Sequence, residues 1–418
     1  MNITRNGLVG TAVLMLITSL PVSAQDSSIN VQCPETTTLH PTGDGIKCVH
    51  LSGGDGMVTM ADGYPQYIFS FANIPLPGEP GVPADPADYP GYAMETGMLA
   101  ANAPAPTIVV DEDDEVYLTL TNVGMAIRPD LFDPHTVHWH GFPQAASIFD
   151  GVPDASISVN MGASLTYFYL AKDAGTYMYH CHVEATEHMQ MGMLGNLWVR
   201  PRQNKCDTLT DDAAVPGSVC PAGHVNDETE YAYNDGDGST AYDVEFPLQI
   251  GSFDPDYHDA SFEVQPLPFA AMKDRYFMLN GRGYPDTIDP GVIQTADPLD
   301  GTLRNSQPVS SLIEAGVGER ILLRVSNLNV TIFNTLATNG PPMQVIGLDA
   351  RLLRDGAGEN MYYKTNSLTL GGGQSADVII DTTGLNVGDT FFVYTTNLDR
   401  LANDAENFGG MMTEIHIN

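Results

Sequence analysis

The chain has 418 residues, enough for two domains of ordinary size, and 43% of them are hydrophobic, enough to pack a core in each. Its 52 Asp and Glu stand against 17 Lys and Arg, a formal net charge of -35. A surface of that sign repels nucleic acid and anionic membranes and excludes both as partners; it suits solubility, or a basic redox protein.

At the N-terminus, Arg5 precedes an apolar stretch from Gly7 to Leu20 that ends in Val22-Ser23-Ala24. This layout predicts a signal peptide over residues 1–24 and an exported protein, periplasmic or secreted. The run is short for a membrane span and no other candidate follows, so no membrane insertion is expected. Of the five cysteines, Cys33 and Cys48 bracket one polar stretch and Cys206 and Cys220 another. In an oxidising compartment both pairs read as loop-closing disulfides. Cys181 is left over, between two histidines, and metal ligation is the role that explains it.

Stretches rich in β-branched and aromatic residues follow at 66–71, 115–120, 165–170, 197–200, 321–325, 377–380 and 391–394. Separated by Gly, Pro, Asn and Asp, they predict an all-β protein of sandwiches or barrels. The acidic run from Asp111 to Glu115 reads as a charged turn leading into a strand. Residues 201–242 are polar and lack a sustained apolar pattern, so they read as a linker between domains over 25–200 and 243–418. Inside it, Asp235-Gly-Asp237-Gly lacks the further ligand spacing of a calcium loop and reads as a solvated turn.

The two halves also match each other. His138-Trp-His140-Gly-Phe-Pro aligns with Ala337-Thr-Asn339-Gly-Pro-Pro, and Tyr179-His180-Cys181-His182 with Tyr394-Thr395-Thr396-Asn397. Gly192-Met193 to Val199 aligns with Gly410-Met411 to Ile417. The landmarks keep their order, so the halves read as two copies of one sandwich.

Six of eleven histidines fall in two clusters, His135/His138/His140 and His180/His182/His188, the second enclosing Cys181. The scattered His40, His50, His224, His258 and His416 read as surface or core residues. Side chains alternate faces along a strand, so His138 and His140 share a face, as do His180 and His182, while His135 and Cys181 point the other way. The clusters therefore sort into two sites. His188 and Met193 downstream complete the first as a thiolate, two imidazoles and a thioether, the donor set of a one-electron copper site. Zinc competes for a Cys/His set. The Met189-Gln-Met191-Gly-Met193 stretch favours copper, with Met189 and Met191 as alternatives to Met193.

These motifs resemble the multicopper oxidase family, built from cupredoxin Greek-key β-sandwiches. The resemblance continues through Leu194–Val199, Tyr276–Thr287 and Pro342–Gly356. It implies copper as cofactor, with His135, Cys181, His188 and Met193 as type 1 ligands. His138 would then be a type 2 ligand, and His140, His180 and His182 type 3 ligands. Two-domain members imply a homotrimer, which no local feature specifies. Two departures stand out. The spacing from Cys181 to His188 is longer than the usual oxidase spacing. The second copy places Asn334, Ala337, Asn339, Thr395, Thr396 and Asn397 where ligands would stand and keeps only Met411, so it reads as a sandwich without copper ligands, leaving four of a trinuclear cluster's eight histidines.

Three functions follow in order: a multicopper-oxidase-type oxidoreductase, a non-enzymatic electron carrier or copper-binding protein, and a nitrite-reductase-like enzyme. The last fits least, because His138 stands where that family resembles His-x-x-Asp-x-His and His182 follows Cys181. The electron donor is expected to be a small reductant or a basic redox protein.

Overall fold

Side chains alternate along each strand, and in the strand that holds them Val116, Leu118 and Leu120 share one face and are fully buried. The computed structural model describes residues 29–205 and 229–418. The signal-peptide segment, His224 and the Cys206/Cys220 pair lie outside them.

The first sandwich has eight strands: β1 (Ile46–Thr59), β2 (Pro65–Asn73), β3 (Ala105–Asp111), β4 (Glu115–Gly124), β5 (His138–His140), β6 (Ser164–Leu170), β7 (Gly175–His180) and β8 (Leu194–Arg200). One sheet runs β2-β1-β4-β6 and the other β3-β8-β7-β5. The β1–β4 and β3–β8 pairs are parallel and the rest antiparallel, so the chain crosses between sheets around one core. The long β1, unmarked in the sequence because of its Gly53-Gly54-Asp55-Gly56 segment, carries a register shift at Gly53/Gly54. A side chain at Gly53 would place Cβ 2.9 Å from the His135 ring, so this glycine lets β1 pass over the site. The Cys33–Cys48 disulfide ties the leading segment to β1.

Helices α1 (Tyr89–Gly97) and α2 (Ala185–Gln190) are inserted in this sandwich, and α3 (Pro255–Phe262) packs on β2 from the second half. The second sandwich repeats the plan. One sheet includes Tyr276–Leu279, Val244–Phe253, Arg320–Asn327, Gln374–Asp381 and Met343–Leu348 in that order. The other runs Ile313–Ala315, Met412–Ile417, Thr390–Thr395, Asn334–Thr338, Ser367–Leu370. Every strand segment expected from the sequence lies within a strand here.

The end of the expected linker is packed. Ala232, Tyr233 and Tyr242 sit against Leu322, Ile346 and Ile379 of the second sandwich. The Asp235 carboxylate accepts from the Gly238 and Thr240 N–H groups, so the turn is closed by its own hydrogen bonds.

A buried charge network joins the halves. The fully buried Arg324 donates to Glu245 at 2.7 Å and to Asp377 and Thr176 at 3.2 Å each. Arg200 of β8 donates to the other Glu245 oxygen at 2.6 Å, and the Trp198 ring lies 5.7 Å from the Arg324 guanidinium. Tyr233 donates to Asp377 from the packed hairpin. Removing one member of such a network leaves its partners charged in a low-dielectric interior. Arg324→Leu is therefore expected to cost about 3–5 kcal/mol in chemical denaturation. A loss below about 1 kcal/mol, as at an exposed ion pair, would contradict this.

Candidate metal centres

The first centre is built at the edge of the β5–β7 sheet. His135 forms an isolated bridge to Val159 just before β5, and Cys181 follows the last residue of β7. His188 lies on α2, a short helix that absorbs the long Cys–His spacing by turning the chain back on itself. The His188 Nδ1 stands 3.2 Å and the His135 Nδ1 3.9 Å from Cys181 Sγ. Backbone bonds close the loop: Cys181 N–H donates to Met193 O at 3.1 Å, and Met193 N–H to His188 O at 2.8 Å. The Thr136 N–H points at Sγ from 3.4 Å. His135, Cys181, His188 and Met193 all have 0% exposure. Of the alternative methionines, Met189 lines the neighbouring histidine cavity and Met191 is in the core.

Burial pushes the Cys181 thiol up, but the His188 charge and hydrogen bonds from His135 and His188 outweigh it and hold the thiol well below its ordinary range. Burial lowers His188, while the Cys181 charge and Asp133, 3.8 Å from Nε2, more than reverse that. The pocket thus favours the ionised thiol and the charged His188 together, with the Nδ1 atoms aimed at the sulfur. That is the arrangement a bound metal cation would exploit by displacing the proton, and this donor set suits copper.

The second centre lies on the opposite face of the same strands. His138 and His180 are paired in register, and ligand atoms of His138, His140 and His180 lie within 4.8 Å of one another. His182 adds its ring 5.1 Å from that of His138 and 5.5 Å from that of His180. Two outward ring nitrogens have partners: His138 Nδ1 lies 2.5 Å from Asp150 O, and His180 Nδ1 2.8 Å from Cys181 O. Burial lowers the pKa of His138 and His140, and brings His180 down to about 3. Neutral imidazoles with lone pairs turned inward are what a divalent metal requires.

These rings line a cavity of about 420 Å³. Its opposite wall comes from the second sandwich, residues 328–333 with Gly372 and Gly373, and includes no histidine. Gly373 has φ +87° and a Cβ there would meet His140 Nε2 at 2.7 Å, so glycine is needed for this close approach.

The second sandwich keeps the first centre's backbone connections. Thr395 N–H donates to Met411 O, Met411 N–H to Arg400 O and Met412 N–H to Gly410 O, repeating Cys181 to Met193, Met193 to His188 and Leu194 to Gly192. Ala337 pairs with Tyr394 as His138 pairs with His180. The strand positions expected at Thr395, Thr396 and Asn397 therefore move by one, to Tyr394 for His180, Thr395 for Cys181 and Thr396 for His182. Matching the two tyrosines misled the sequence comparison, because register is set by backbone pairing and a slip of one exchanges the faces. Arg400, which sequence reasoning missed, stands in the His188 position. It donates to Asn334 Oδ1 at 2.8 Å, Asn334 being in the His135 position, and to Phe333 O at 2.7 Å. The guanidinium also sits 5.4 Å from the Phe277 ring. A fixed cation thus stands where the first sandwich has His188.

The four solitary histidines among the described residues have structural partners. His50 bonds Tyr89 and Thr121 in the core, His258 bonds two carbonyls, His40 faces Asp113 O and His416 pairs with Glu414.

Fold and sites together define a two-sandwich protein with a buried Cys/His centre backed by a histidine cavity. Residues 87–204, which contain all eight candidate ligands of the first sandwich, match the multicopper oxidase family model. A multicopper oxidase of Talaromyces pinophilus is 36% identical over 115 residues, 27% of this chain and 18% of that protein. Laccase-1 of Emericella nidulans is 36% identical over 131 residues, 30% of this chain and 19% of its own. The matched stretch thus spans under a fifth of those relatives. The fold is similar to the blue copper oxidase of Nitrosomonas europaea, with a TM-score of 0.60, 20% identity and coverage of 89% of this chain and 86% of that one. It is also similar to the copper nitrite reductase of that organism, with a TM-score of 0.53, 16% identity and coverage of 89% and 94%. Residues 87–204 are thus similar to a domain of a family whose relatives use copper, and the fold of the whole is that of two cupredoxin-like sandwiches.

Arg400→Ala removes the donor to a buried Asn334 oxygen, and a loss of about 1–3 kcal/mol is expected in thermal or chemical denaturation. Copper bound per chain should not change; a fall in copper would contradict a purely structural role for Arg400.

Proposed function

We propose that the chain is an exported copper oxidoreductase of multicopper-oxidase type with an incomplete trinuclear cluster. In this reading residues 25–200 form the copper-binding domain, with His135, Cys181, His188 and Met193 as type 1 ligands. His138, His140, His180 and His182 hold copper in the cavity behind it. Residues 243–418 are a scaffold without copper ligands, joined by the segment 201–242. The observation that carries this is the aim of two imidazole Nδ1 atoms at the Cys181 sulfur, in a pocket with no exposure to water.

Bound copper would supply one-electron chemistry at the first site and a redox partner at the second. The protein's own part is to favour the ionised thiol, keep the His138, His140 and His180 imidazoles neutral and exclude water. Cys181 is bonded through the backbone to His180 and His182, which gives a covalent connection between the sites. A small reductant or a basic redox protein is the expected donor. A second reading, an electron carrier that does not reduce oxygen, is favoured by the cavity wall at 328–333, which adds no imidazole.

Adding Cu(II) to the metal-free full chain is expected to give an intense thiolate-to-copper band that Cys181→Ser abolishes. His138→Ala should keep the band and lose one copper by metal analysis. Colour in Cys181→Ser, or full copper in His138→Ala, would overturn the assignment. Oxygen consumption with a phenol favours the oxidase, and its absence in a blue protein the carrier.

A further inference from the structure

The histidine cavity has two unlike walls. One carries His138, His140, His180 and His182; the other is the segment 328–333 of the second sandwich. The polar side chains of that segment are engaged elsewhere. Asn329 places its amide oxygen 2.5 Å from the Ser252 hydroxyl and donates to Asn327 Oδ1 at 2.6 Å. The Thr331 hydroxyl donates to Asp274 at 3.0 Å. What the segment has left to offer the cavity is the hydrocarbon of Leu328, Val330, Ile332 and Phe333. Phe333 is 71% exposed, so its ring stands where the cavity meets solvent.

At about 420 Å³ the cavity is the size of a small-molecule site. A diatomic molecule would leave most of that space as water against apolar side chains, an unfavourable contact. Charge narrows the occupant further. None of the described residues lining the cavity is acidic, and Asp150 meets His138 at its outward Nδ1, 3.5 Å away. Imidazole is an uncharged ligand, so a divalent ion on this wall would keep its full charge inside the cavity. An anionic oxygen offsets that charge, while a hydrocarbon body covers the opposite wall. A carboxylate is the organic oxygen donor already ionised at neutral pH, where a phenol is not.

We propose that this cavity binds a small hydrophobic monocarboxylate, its carboxylate toward the imidazole wall and its body on Val330, Ile332 and Phe333. The inference rests on the reading that the second centre holds copper. The second sandwich, which brings no imidazole to the cavity, then supplies the wall that selects the ligand.

The probes are benzoate, acetate (the carboxylate without the body) and benzamide (the body without the charge). In calorimetric titrations of the copper-loaded full chain, benzoate should bind about tenfold tighter than either of the others. Electron paramagnetic resonance should show benzoate changing the signal of the imidazole-bound copper and leaving that of the thiolate-bound copper as it was. Val330→Ala with Phe333→Ala should weaken benzoate about tenfold and leave acetate unchanged. The thiolate signal of that variant reports that it is folded; should it be lost, Phe333→Ala alone, at an exposed side chain, carries the same test with about a threefold loss. Benzoate no tighter than acetate or benzamide would overturn the proposal, as would an affinity indifferent to the alanines or a change confined to the thiolate signal. Metal analysis separates the two readings. One copper per chain defeats the second centre and this proposal with it, whereas two coppers with no response to benzoate defeat the proposal alone.

Discussion

Everything at the two centres depends on strand alternation across His180-Cys181-His182. Successive side chains leave a strand on opposite faces, so the sulfur enters the sandwich core while the imidazoles turn outward. The core side is dry and brings His135 and His188 against the sulfur; the outer side is a cavity with four rings. One tripeptide therefore serves two chemically distinct sites that share a backbone. The Thr136 N–H points at the sulfur and the Thr136 hydroxyl accepts from the His182 N–H, which fixes the start of β5 against the end of β7.

The second sandwich is the same scaffold used without ligands. Its loop keeps the backbone bonds to Met411, but Thr395 replaces the thiol and Arg400 replaces the second imidazole. A guanidinium held by Asn334 and the Phe333 carbonyl places a positive charge inside this loop. This half contributes in another way. It walls the histidine cavity, sends α3 and His258 across to β2, and locks onto β7 and β8 through the buried Arg324.

The sequence made the strands and the sorting of histidines legible, because both follow from a period of two. Cys181 was legible by exclusion, as the cysteine without a partner. What lay beyond reach depends on packing. The Cys181–His188 spacing looked irregular until α2 took up the excess, and β1 was hidden because its glycines have no side chains to alternate. Arg400 carried no signal, since an arginine resembles no ligand, and only the backbone bond from Met411 reveals its position. The Phe69–His188 contact joins residues more than a hundred positions apart, which no local pattern can report.

Electron paramagnetic resonance of the copper-loaded full chain tests the two-site arrangement most directly. The expected spectrum has two signals of equal intensity: one with the narrow copper hyperfine splitting of a thiolate-bound site, one with the wider splitting of an imidazole-bound site. A spectrum with no narrow component, or one in which the narrow signal survives Cys181→Ser, would contradict the placement of copper on Cys181.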